Sequence, residues 1–74
     1  MNANSTKFEL NDTTDVVGNK FLTRAGETVT FVARPISGRK FQRKDGSVYW
    51  VGFASGAVFS LRDDRDDVVS RVEA

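Results

Sequence analysis

The sequence predicts an all-β fold, a small antiparallel barrel of five or six strands with a short helical turn near the C-terminus. Three observations lead there. Strand-favouring residues alternate with polar ones over several short runs, the period of a half-buried strand. Clusters of Gly, Asn, Asp and Ser separate those runs, and no stretch keeps a helical period for long. Near the middle, Asp45-Gly46 lies between two extended runs, the dipeptide most diagnostic of a hairpin.

Seventy-four residues make one small domain, near the lower limit for a chain that folds on its own core. The expected organisation is a flexible tail over 1–6 and a single barrel over 7–74. With no Cys, neither a disulfide nor a thiolate metal site supports the core. Six Phe, together with Val and Leu, must supply it.

Taken in order, Lys7-Phe8-Glu9-Leu10 alternates for one short strand with Phe8 and Leu10 inward. Asn11 to Asp15 is a loop by composition, and Val16-Val17-Gly18 extends it along the core. Lys20 to Thr23 forms a second strand. Arg24-Ala25-Gly26-Glu27 then turns the chain. Thr28 to Arg34 is the clearest strand, with Val29, Phe31 and Ala33 on one side, and Pro35 ends it by removing a ladder donor.

The hairpin from Arg39 to Ala54 admits two registers, and a one-residue slip exchanges its faces. A two-residue loop, Asp45-Gly46, pairs Phe41 with Trp50 and leaves both faces mixed. A three-residue loop, Lys44-Asp45-Gly46, places Gly46 left-handed in a bulge and pairs Phe41 with Tyr49 and Lys40 with Trp50. Phe41, Tyr49, Val51 and Phe53 then share one face, with Arg39 and Arg43 at its ends. Lys40, Gln42, Val48 and Trp50 share the other. This segregation suits a sheet buried on one side, so the bulged register is the expected one.

Ser55-Gly56 makes another turn, and Ala57 to Leu61 returns as a strand with Phe59 and Leu61 inward. One helical turn is expected near Asp63–Asp67, followed by a last strand from Val68 to Val72, whose β-branched residues favour strand over helix; a short C-terminal helix packing Val68 and Val72 is the alternative. The expected core is Phe8, Leu10, Val29, Phe31, Phe41, Tyr49, Val51, Phe53, Phe59 and Leu61. In layout, though not in any motif, the pattern resembles an SH3-like barrel, because no segment between the middle strands is long enough for the helix of an OB-fold.

Catalysis is the class most readily set aside. Without His or Cys the chain lacks the usual base near neutral pH and the strongest nucleophile. The run Asp63-Asp64-Arg65-Asp66-Asp67 lacks the ligand spacing, the central Gly and the closing Glu of a calcium loop. The glycines fit no phosphate-cradling pattern. Neither an enzyme, a metal site nor a small-molecule cofactor is expected. No apolar run approaches the roughly 18 residues of a membrane span. The first seven residues lack the basic and apolar regions of a secretory signal, which points to the cytoplasm.

Charge is distributed unevenly although it nearly cancels overall. Arg39, Lys40, Arg43 and Lys44 face only Asp45 within the hairpin, whereas Arg62, Arg65 and Arg71 are outnumbered by Asp63, Asp64, Asp66, Asp67 and Glu73 in the tail. Basic side chains displace counterions from phosphates, and an exposed ring stacks on an unpaired base. The leading expectation is therefore a non-enzymatic binding module that takes nucleic acid through Arg39, Lys40, Arg43, Lys44 and Trp50. Against it, a net charge of +1 is small for a nucleic-acid binder, and charged hairpins also serve solubility and edge protection. The alternative is a protein-binding adaptor or inhibitor, such as a small phage-encoded protein docking on a host complex. An exposed Trp flanked by Arg has the composition of an interface hot spot.

Overall fold

The structure, a computed structural model, describes residues 8–59 and 63–72. Five strands, β1 (Lys20–Thr23), β2 (Thr28–Ala33), β3 (Arg39–Gln42), β4 (Val48–Val51) and β5 (Val68–Arg71), form one antiparallel sheet in the order β4-β3-β2-β1-β5. There is no helix among the described residues. The expectations for 1–6, Lys7 and Leu61 lie outside those residues.

Alternation decides what the sheet buries. Phe21, Val29, Phe31, Phe41, Val51 and Val68 project to one side and are fully or almost fully buried, joined by Leu10 from the N-terminal segment. Phe41 stands at the centre, edge-to-face with Phe21 and Phe31 at centroid distances of 5.3 and 5.7 Å. Such geometry aligns the positive ring edge with the negative face of its neighbour. Phe8, Tyr49 and Val58 pack against this cluster at its margin.

The hairpin adopts the bulged register. Phe41 pairs with Tyr49 and Lys40 with Trp50. The Gly46 amide donates to the Arg43 carbonyl, and Gly46 has φ of +92°, which a β-branched residue would resist. Asp45 accepts from the amide and hydroxyl of Ser47, which hold its carboxyl below the usual carboxylate range. Arg43 N–H donates to Ser47 O at 2.8 Å, so bonded pairs alternate from there through Phe41–Tyr49 to Arg39–Val51. The amides and carbonyls of Val48 and Trp50 consequently point away from β3, along a sheet edge that no strand among the described residues covers.

The barrel expected from the sequence is not closed by hydrogen bonds. Among the described residues no ladder joins β4 to β5. The two ends are linked instead by side chains and by the chain between them: Tyr49 OH donates to the Asp66 carbonyl at 2.8 Å, Gly52 N–H to Ala57 O, and Val68 N–H to Gly56 O. The expected strand from Ala57 is absent over the described residues 57–59, and this is what leaves the sheet open. Ser55-Gly56 does turn the chain, with the Gly56 amide bonded to Phe53 O.

Other expectations fail for related reasons. Residues 8–10 form no strand, yet Leu10 is buried and its amide donates to Ala54 O. Phe53 and Phe59, expected in the core, are 47% and 53% exposed. Strand β4 ends at Val51 and the chain bends at once, so the two-residue period no longer applies to Phe53. Phe59 sits in a segment with no period at all. Phe21 and Val68 occupy the core instead. Val16 and Val17 are in a loop, as expected, but face solvent rather than the core. The helical turn expected at Asp63–Asp67 is a non-helical turn tied by Asp67 N–H to Asp64 O and by Asp66 N–H to the Asp64 carboxylate.

Candidate nucleic-acid interface

The hairpin divides its four basic residues between two environments. Arg39 and Arg43, at odd positions, turn to the side of the core. Arg39 is buried; its Nε donates to Asp15 Oδ1 at 2.7 Å and its Nη2 to the Leu10 carbonyl at 3.2 Å. The second Asp15 oxygen accepts no hydrogen bond and faces the Arg34 guanidinium at 3.4 Å. Arg39 thus fastens the loop before β1 to the sheet. Arg43 lies over the Tyr49 ring, 4.4 Å from its centroid, and its Nη1 reaches Glu27 at 3.1 Å and Asp66 at 2.8 Å. That bond holds the Asp66 carboxyl below its ordinary range, while burial pushes the Tyr49 phenol upward.

Arg24 and Arg34 are spent in the same way, on Asp63 and Asp67 and on Asp12 and Asp15. The planar guanidinium fork suits such shared, partly buried pairing better than an ammonium does. The acidic tail that suggested a cation site is occupied by these bonds. Asp67 also accepts from the Val58 and Asp64 amides. Among the described residues no three of His, Cys, Asp or Glu are grouped to hold a metal ion, and no helix is long and apolar enough to cross a membrane.

The lysines behave differently. Among the described residues, Lys20, Lys40 and Lys44 take part in no ion pair within 4.0 Å. Lys40 and Trp50 face each other across β3 and β4 on the outer side of the sheet, with the ammonium 5.5 Å from the ring centroid. Trp50 is 42% exposed. Its indole edge rests on Gly38, where a Cβ would stand 2.5 Å from the Trp50 Nε1 and from the Val51 carbonyl. The absence of a side chain at position 38 is therefore what lets the ring lie where it does.

Beside this pair the outer face continues over β2 and β1. Gln42 lies opposite Thr30, and Thr30 opposite Lys20, whose Nζ donates to the Thr30 hydroxyl at 3.3 Å. A groove of about 370 Å³ runs here, lined by Lys20, Thr28, Thr30, Gln42, Arg43 and Lys44. Among the described residues no carboxylate lines it. Of the residues the sequence singled out, the structure brings Lys40, Lys44 and Trp50 to one face and sends Arg39 and Arg43 to paired positions elsewhere. It adds Lys20, Thr28 and Thr30, which sequence reading missed. The alternation around buried Phe21 and Val29 marks all three as outward, but only the strand order reveals that they adjoin the hairpin.

No protein-family model, no curated protein and no solved structure matches this chain, so its face must be read on its own chemistry.

Proposed function

We propose that this chain is a non-enzymatic, cofactor-free binding module of the cytoplasm, with an SH3-like layout, that takes nucleic acid on the outer face of its sheet. The strand order supports the layout, since the last strand returns beside the first while the first four run as a meander. One observation carries the function. The arginines Arg24, Arg34, Arg39 and Arg43 are matched with acids, whereas among the described residues Lys20, Lys40 and Lys44 meet no acid and share the outer face with an exposed Trp50. A small total charge thereby becomes a locally basic face, which is what a phosphate backbone reads.

A second reading has its own support. Val48, Trp50 and the fully exposed Ile36 offer apolar surface to a protein, as an adaptor or inhibitor docking on a larger complex would require. Titration of labelled single-stranded and duplex oligonucleotides over a range of salt separates the two. Nucleic-acid binding should weaken as salt rises, with a slope set by the lysines engaged. Absence of binding even at low salt would discard the first reading in favour of the second.

A further inference from the structure

We propose that the groove between β1, β2 and β3 is the phosphate seat for a short single-stranded segment, one of whose bases stacks on Trp50. This inference rests on the nucleic-acid reading above and names its substrate class. The groove offers donors suited to phosphate oxygens: the ammonium groups of Lys20 and Lys44, the hydroxyls of Thr28 and Thr30, and the Gln42 amide. Arg43 also lines the groove, and its guanidinium is held by Glu27 and Asp66. The Gln42 amide already donates to Gly46 O, which fixes the hairpin tip beside Lys44.

Geometry supplies the rest. Trp50 and Lys20 stand on β4 and β1, separated by three strand spacings, or about 14 Å. Stacked nucleotides rise about 3.4 Å each along a strand and splayed ones further, so three or four nucleotides cover that distance. Lys40, between the two ends and over the Trp50 ring, meets the intervening phosphate. A duplex would present phosphates to the groove but no free base face to Trp50, since its bases are already stacked on one another. The site therefore selects single strands.

The test is a titration of thymidine oligonucleotides of increasing length, read by Trp50 fluorescence and by polarisation of an end label. Affinity should climb until about four nucleotides and then level off, with a duplex of equal length bound several-fold more weakly. Lys20→Ala lies outside the hairpin and on an exposed position, so it should leave the circular dichroism spectrum unchanged. It should lower affinity several-fold and make the salt dependence shallower by about 0.7, the share of one single-strand phosphate. Lys20→Arg should restore both. If wild type binds single strands while Lys20→Ala and Lys44→Ala bind as tightly with the same salt slope, the groove is not the seat, although the outer face still binds. If wild type binds no oligonucleotide, the underlying reading falls and the groove assignment with it.

Discussion

The two faces of the β3–β4 hairpin each carry two basic residues, and the fold treats them in opposite ways. On the inner side Arg39 and Arg43 meet Asp15, Glu27 and Asp66 at 2.7 to 3.1 Å, beside buried aromatic rings. On the outer side Lys40 and Lys44 meet no acid among the described residues, and the nearby ring is partly in water. The difference teaches that a basic cluster in a β sequence is two clusters. Strand alternation sorts the charges, and only one set is left for a partner.

The sharpest way to break this comparison is to remove one charge from each face. Arg39→Ala should cost about 3–5 kcal/mol, because it leaves the buried Asp15 carboxylate only the longer contact to Arg34 and removes the donor to the Leu10 carbonyl. Lys40→Ala on the next residue should stay within about 0.5 kcal/mol. Chemical denaturation of the two variants measures both, and equal losses would mean that the faces are not distinct in energy.

Core truncation tests the same boundary along β4. Phe31→Ala should cost about 3–5 kcal/mol, whereas Phe53→Ala, beyond the strand's end, should cost under about 1 kcal/mol. Thermal melts that shift alike for both would put Phe53 back in the core.

pH offers a gentler probe of the inner face. Arg43 holds the Asp66 carboxyl below its unfolded value, so this group contributes stability above about pH 4 that is lost as pH falls further. Burial holds the Tyr49 phenol above its unfolded value, so its contribution is complete below about pH 10 and declines on the alkaline side. Melting temperature followed across pH should fall at both ends. Arg43→Leu should flatten the acid limb, while Lys44→Ala should leave the profile in place.

The smallest expected effect concerns the tip. A Cβ at Gly46 would meet nothing within 4 Å, so only its positive φ restricts the residue. Gly46→Asn should cost under about 1 kcal/mol and Gly46→Val distinctly more, since Asn tolerates the left-handed region and Val does not. Equal melting temperatures for the two would place the turn elsewhere.

How much of this was legible beforehand follows from where short-range rules hold. The register of the hairpin could be read because the period of two and a left-handed Gly46 agree on one answer. The strands Lys20–Thr23 and Thr28–Ala33, and the final one from Val68, were legible for the same reason. Alternation also placed Arg39 and Arg43 inward, but their acids lie 24 and 16 or 23 positions away in sequence, and nothing local pairs them. The rule failed where a strand stopped, at Phe53, and where none formed, at Phe59. Phe21 was obscured by its neighbour Leu22, because two adjacent apolar residues do not declare which one faces in. Lys20 became part of the candidate site only through the strand order, a long-range fact.

The open edge of β4 leaves a trace in time as well as in space. Amide protons at Tyr49 and Val51 lie in bonded pairs with β3, and those at Val48 and Trp50 point away from β3 and meet no acceptor among the described residues. Two populations should therefore alternate along four consecutive residues when the protein is moved into heavy water. The protons of Val48 and Trp50 should be replaced early, by local access alone, while those of Tyr49 and Val51 wait for the hairpin to open. This odd–even rhythm, recorded by NMR, belongs to β4 as the outermost strand. On β3 it reports the turn: with the three-residue turn Phe41 and Arg43 are the bonded positions, whereas a two-residue turn would bond Gln42 and Lys44 instead.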